Sequence, residues 1–140
     1  MAAWVRVVIH WTSGIAAKIR SAPEPGVWMR DPRRRQWQLD PLALDCAFQM
    51  LIVWSWRVRQ APSLPTGMGK YRQFVKNVAA SGGQAVRAVA RITRQSAAQA
   101  WAEVDFLDEK GRVLARLEEY ECVIDAGLAK AFKKNQIALA

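Results

Sequence analysis

The stretch "LDPLALDCAFQMLIVWSW", residues 39–56, decides the fold because its apolar residues leave no clear polar side on a helix. Asp40 and Pro41 predict where that helix starts, since aspartate caps free backbone N–H groups and proline suits the first helical position. The helix is predicted to run over residues 41–58, and the prolines and glycines of residues 60–69 end it. A helix that is apolar all round must be covered on most sides.

Segments that alternate apolar and polar residues flank this helix and predict what covers it. Residues 4–9 and 14–20 precede it as short strands, and a proline-rich loop over residues 21–38 connects them to it. Four strand segments are predicted after it, at residues 70–78, 84–94, 97–108 and 111–124. The "DEKG" turn ends in Gly111, which supplies the positive φ of a hairpin. This order predicts an α+β protein with the hotdog fold, in which a curved antiparallel sheet wraps a long central helix.

Composition and charge limit the classes of function. The 140 residues fit a single domain over residues 1–140, with residues 126–140 as a terminal helix or tail. The formal charge of +9 favours an acidic protein partner or a solvated basic surface, and without a zinc-finger, RRM or KH signature it makes nucleic acid unlikely. Cys46 and Cys122 fit neither a disulfide framework nor a zinc spacing, and no signal peptide or membrane span is evident. We expect a reduced, cytoplasmic protein.

The helix carries one carboxylate among its apolar residues, and this group has two interpretations. Asp45 lies about 140° around the helix from the capping Asp40, at about 100° per residue. If Asp45 is buried, desolvation raises its pKa and keeps it protonated as a general acid, and Gln49 one turn later is placed to hydrogen-bond it. Alternatively, Asp45 stabilises the helix N-terminus through the macrodipole. The neighbouring Cys46 is predicted to be core packing rather than a nucleophile.

The segment "LDPLALDCAFQ", residues 39–49, resembles the motif of the second, C-terminal hotdog of polyketide synthase dehydratase domains. The similarity continues through "SLPTGMGKYRQF" and "DFLDEKGRVLARLEEYECV", so that it covers about residues 14–125. In that family the aspartate is the acid partner of a catalytic histidine, and a glutamine or histidine four residues later orients it. The resemblance therefore implies that Asp45 and Gln49 are the catalytic residues.

The family takes its histidine from a first hotdog, in a His-x-x-x-Gly-x-x-x-x-Pro motif. His10 and Gly14 match part of this spacing, but Ile19 stands where the proline belongs. His10 also lies only 35 residues before Asp45, which leaves no room for a first hotdog. We interpret the match as coincidence and expect the isolated chain to be inactive, with the histidine supplied by a second, His-bearing hotdog.

The resemblance implies elimination of water from a β-hydroxyacyl thioester carried on the phosphopantetheine of an acyl carrier protein, with no metal or redox cofactor. The acidic carrier protein gives the basic excess, including Arg33, Arg34 and Arg35, a use. Two alternatives stay open. One is a catalytically silent hotdog that contributes structure, dimerisation or carrier binding, and the other is a homodimeric hotdog thioesterase or hydratase acting on acyl-CoA.

Overall fold

The computed structural model describes residues 5–76 and 85–134 of the chain. Their helices and strands follow one another as β1 (Val5–Trp11), β2 (Gly14–Arg20), α1 (Pro25–Trp28), α2 (Pro41–Arg59), β3 (Ser63–Gly67), β4 (Lys70–Gln73), β5 (Ala85–Gln95), β6 (Gln99–Leu107), β7 (Val113–Ile124) and α3 (Leu128–Lys134).

The strands within these ranges form one antiparallel sheet in the order β1-β2-β5-β6-β7-β3, and β4 also pairs with β7. Strand β7 binds β3 through its last residues and β4 through its middle, with Glu119 between them. Glu119 adopts a left-handed φ of 51°, and the Gly69 N–H donates to the carbonyls of both Glu118 and Glu119. The pairing of β7 with β6 also shifts register at this point, as in a β-bulge. A bulge increases the twist of a strand, so it helps the sheet curl.

Helix α2 packs one face against the inner side of the curled sheet. Its buried residues recur at helical spacing: Ala43, Cys46, Ala47, Met50, Leu51, Trp54 and Ser55. They meet the inward-facing residues of the strands, which include Ile15, Ala88, Val104, Phe106 and Leu117. The predicted hotdog fold, a long helix wrapped by a curved antiparallel sheet, is confirmed.

The bounds of most elements also agree with the sequence pattern. Asp40 caps α2 and Pro41 opens it, and Gly111 has a φ of 79° in the predicted hairpin turn. The short helix α1 lies inside the segment predicted to be a loop, and α3 occupies part of the predicted tail. The predicted strand over residues 70–78 is shorter in the structure, ending at Gln73, and its last two residues lie outside the described ranges.

No helix within the described ranges is long and apolar enough to span a membrane.

The sheet leaves one side of α2 less covered than the rest. The side opposite the buried face carries Asp45, Gln49, Ile52 and Trp56, and the Trp56 side chain is 45% exposed. These four positions are spaced so that they share one helical face. We call them the open face of α2. A seven-stranded sheet curls around one side of a helix and leaves the other side to solvent or to a partner.

Candidate active site

Asp40 fixes the beginning of α2 more firmly than a cap alone would. Its Oδ1 accepts hydrogen bonds from the backbone N–H groups of Leu42 and Ala43, each at 3.0 Å. Its two carboxylate oxygens also accept from the N–H of Ala22, at 3.1 and 3.2 Å. The carboxylate is 1% exposed, so one buried group ties the start of the helix to the end of β2. The capping role was predicted, whereas the bond to Ala22 was missed because no local pattern signals a contact across 18 residues.

Asp45 lies on the open face, and the expectation that it is buried is wrong for the isolated chain. The neighbouring Ala43, Cys46 and Ala47 face the sheet, and the turn of the helix carries Asp45 to the opposite side. The apolar sequence around Asp45 gave no hint of this, because apolar neighbours along a helix point in other directions.

The predicted contact between Asp45 and Gln49 is confirmed. The Gln49 side-chain amide donates from Nε2 to Asp45 Oδ2 at 2.6 Å, across one helical turn. Gln49 is half-buried, so its packing restricts the direction in which the amide points. The bond orients the carboxylate and leaves Oδ1 without a hydrogen-bond partner among the described residues. An acid with one oxygen held and the other available can exchange a proton with a ligand placed over this face.

Two other ionisable groups lie near the start of α2, the Cys46 thiol and the Tyr71 hydroxyl, and both stay protonated at neutral pH. Burial, followed by the charges of Asp45 and Asp40, raises the pKa of the Cys46 thiol to about 11. The thiol is therefore not a nucleophile, as the sequence predicted. Burial, with the nearby charge of Asp40, also raises the pKa of Tyr71 to about 12. Tyr71 was not singled out from the sequence, since nothing in its neighbourhood along the chain places it near Asp40.

His10 lies in β1, where its backbone pairs with Ile15 of β2, and its side chain lies outside what the structure describes. Gly14, which matched the family's histidine motif together with His10, is required by the packing of the strands. A Cβ at Gly14 would collide with the carbonyl oxygen of Ala90 on the neighbouring strand. Glycine is thus needed here for strand packing, which supports the interpretation that the match to a histidine motif is coincidence.

Groups suited to binding a metal are not gathered at this site: among the described residues no three His, Cys, Asp or Glu side chains converge. Of the residues predicted from the sequence, the structure brings Asp45 and Gln49 together on a helix face that is open in the single chain.

The curled antiparallel sheet around a long helix defines this chain as a hotdog-fold protein, and solved structures share the architecture. The dehydratase domain of RzxB from Pseudomonas fluorescens superposes with a TM-score of 0.63 at 16% identity, covering 85% of this chain and 40% of that one. The E. coli PaaI protein gives a TM-score of 0.63 at 7% identity, covering 86% and 79%. A thioesterase from Haemophilus influenzae gives 0.60 at 8% identity, covering 86% and 78%. At these identities the likeness shows the fold alone.

A family model described as the polyketide synthase dehydratase N-terminal domain matches residues 14–124. The match spans most of the chain, which therefore belongs to the polyketide synthase dehydratase family. The resemblance to this family is confirmed, whereas the narrower assignment to the C-terminal, Asp-bearing hotdog stays a prediction. Comparison with the sequences of curated proteins gives no significant match.

Proposed function

We propose that this chain is the Asp-bearing hotdog of a polyketide synthase-type dehydratase, in which Asp45 is the general acid and Gln49 orients it. The observation that carries the proposal is the 2.6 Å bond from Gln49 to an aspartate on the open face of α2. The chain belongs to the polyketide synthase dehydratase family, and the resemblance of residues 39–49 to that family's helix motif implies that Asp45 is the catalytic acid.

The open face is where a second, His-bearing hotdog would complete the site. Trp56 and Ile52 leave apolar surface exposed beside Asp45 and Gln49, which is the composition expected of a surface that another subunit covers. Covering Asp45 would remove water from it, and desolvation favours the protonated form of a carboxyl group. The burial that the isolated chain lacks would then be supplied by the partner hotdog.

In the complete site the partner's histidine removes the α-proton of a β-hydroxyacyl thioester, and protonated Asp45 donates its proton to the departing hydroxyl group. Water leaves and a double bond forms between the α and β carbons. Gln49 holds Oδ2 of Asp45, so the proton on the other oxygen faces the substrate. The substrate is carried on the phosphopantetheine arm of an acyl carrier protein, whose acidic surface suits the charge of +9 on this chain.

The test is dehydration of a β-hydroxyacyl carrier protein by this chain mixed with a His-bearing hotdog of the same family, followed by mass spectrometry of the enoyl product. Asp45→Asn should lower the rate about a hundredfold or more, because general acid catalysis contributes at least that much. Glu109→Gln removes an exposed carboxylate in the turn between β6 and β7, outside the Arg33–Arg35 segment, and serves as the control. A mixture in which Asp45→Asn retains the full rate would refute the acid assignment.

A catalytically silent hotdog is the second candidate, favoured by the mismatch of His10 with the family's histidine motif. In that case the chain would bind the His-bearing hotdog or the carrier protein without accelerating dehydration. Pull-down with each partner alongside the rate measurement separates binding from catalysis. Hydrolysis of acyl-CoA by the isolated chain would instead indicate a thioesterase.

A further inference from the structure

The segment between β2 and α2 forms an open, solvent-accessible cavity of about 520 Å³ that the proposed dehydration does not use. Apolar side chains contribute much of its wall: Pro25, Met29, Trp37, Leu39 and Pro41. A volume of this size is within the range of small-molecule sites, which are mostly apolar with a few polar groups.

The cavity is held open by contacts within the segment. Asp40 accepts hydrogen bonds from Ala22 at one end of the segment and from the first turn of α2 at the other. The Trp37 indole N–H donates to the carbonyl of Pro23 at 2.6 Å, and the ring of Trp37 lies 5.8 Å from that of Trp28. The wall that Trp37 provides is therefore fixed before any ligand arrives.

The charged part of the lining is positive on balance, and two neutral amides, Gln36 and Gln38, complete its polar residues. Arg33 and Arg34 line the cavity together with Asp31, and Arg30 and Arg35 stand next to them in the sequence. All four arginines are exposed, and none makes a hydrogen bond or ion pair with another residue in the described part of the chain. Two guanidinium groups against one carboxylate leave the lining positive, so it complements an anion.

The apolar part of the lining is left uncovered. Met29 is 42% exposed and Leu39 is 39% exposed, although both are large apolar side chains next to the buried Pro25. An apolar chain laid along Met29, Trp37 and Leu39 would remove this surface from water, which is favourable. The lining therefore matches a ligand with an apolar body and an anionic end.

We propose that this cavity binds an amphipathic anion, an unbranched alkyl or acyl chain whose terminal carboxylate or phosphate pairs with Arg33 and Arg34. Arginine suits this role because its planar guanidinium group can bind either a carboxylate or a phosphate through two parallel hydrogen bonds. A free fatty carboxylate and a phosphate-terminated chain share this chemistry. The site includes Pro41 but not Asp45, and binding at it depends neither on a histidine nor on dehydration.

Titration of the full chain with three ligands of equal chain length tests the proposal: decanoate, decanol and decyltrimethylammonium. Calorimetry and the fluorescence of the tryptophans report binding, and every ligand is kept below its aggregation concentration. Decanoate should bind about tenfold more tightly than decanol, since charge-assisted hydrogen bonds are the stronger kind, and the cation should not bind. The advantage of decanoate should shrink as salt is raised, because the arginines are exposed. Decyl phosphate and pantetheine 4′-phosphate, as further arms, distinguish a carboxylate source from a phosphate source.

Matched variants locate the site. The double variant Arg33→Ala/Arg34→Ala should weaken decanoate about tenfold, whereas Arg35→Ala, which removes an exposed arginine outside the lining, should change it less than about twofold. Leu39→Ser should weaken all chain-bearing ligands, whereas Val27→Ser, at a position 70% exposed and outside the lining, should not. Circular dichroism confirms that each variant is folded.

Several results would overturn the proposal. Equal affinity for decanoate and decanol would show that the cavity does not recognise the anionic group. If Arg35→Ala weakened decanoate as much as Arg33→Ala/Arg34→Ala does, the attraction would come from the general surface charge and not from a site. Binding of an acidic carrier protein through Arg33 and Arg34, with no binding of decanoate or decyl phosphate, would make the segment a protein-docking surface instead. None of these outcomes changes the expected effect of Asp45→Asn on dehydration, so the two proposals fail separately.

Discussion

Replacing Asp40 by alanine should destabilise the protein far more than replacing any exposed carboxylate. The substitution removes the cap of α2, which typically costs about 1 kcal/mol. It also leaves the N–H of Ala22 without its acceptor at a position 1% exposed, and an unpaired buried donor costs about 1–3 kcal/mol. Together we expect a loss of about 2–4 kcal/mol, a large share of the about 5–15 kcal/mol by which domains are stable.

Asparagine at position 40 separates the two contributions. All three backbone N–H groups donate to Oδ1, so an asparagine oxygen placed there would keep these bonds. The amide NH₂ would take the place of Oδ2 and face the N–H of Ala22, which donates to Oδ2 at 3.2 Å. We expect Asp40→Asn to cost about 1 kcal/mol, between wild type and Asp40→Ala.

Guanidinium denaturation followed by tryptophan fluorescence and circular dichroism gives these free energies, provided that the two probes agree on a single transition. Asp31→Ala, at an exposed carboxylate in the same segment, is the control and should stay within about 0.5 kcal/mol of wild type. If Asp40→Ala also stays within that margin, the clamp between β2 and α2 contributes nothing to stability and the reasoning is wrong.

Three further predictions concern Asp45, the isolated chain and Asp105. Because Asp45 is exposed in the single chain, Asp45→Asn should change the free energy of unfolding of the chain by less than about 0.5 kcal/mol. The same variant should lose most of the dehydration activity measured with a His-bearing partner. A destabilised, fully active variant would contradict both parts. The chain alone should convert little or no β-hydroxyacyl carrier protein to the enoyl product, and robust conversion lost in His10→Ala would show that His10 is catalytic after all. Burial disfavours the charge on Asp105, but hydrogen bonds from Arg116 and Arg91 outweigh it and hold its pKa below the usual value. The stability this gives is present above about pH 3.9 and is lost as the pH falls through the lowered pKa, so Asp105→Asn should cost about 1–2 kcal/mol at pH 7 and less at pH 2, as measured by denaturation at both pH values.

Local signals in the sequence determined where α2 begins and ends and which residues of β5 face the inner side of the sheet. Asp40 and Pro41 set the start of α2 through their own backbone chemistry, and Pro62 and Pro65 prevent its continuation. Alternation in β5 placed Val86, Ala88 and Ala90 on the inner side of the sheet, where all three are buried. These features depend on residues a few positions apart, so the sequence alone is enough to predict them.

The open face of α2 was decided only by tertiary packing. The helix is apolar in nearly every direction, so its pattern does not tell which side the sheet covers, and Asp45 emerged on the uncovered side. The bond from Ala22 to Asp40 and the cavity beside it likewise join residues far apart along the chain. The periodicity of the sequence indicates the direction of a side chain relative to its own helix or strand. Burial depends on where the other elements pack, and their packing is known only from the tertiary structure.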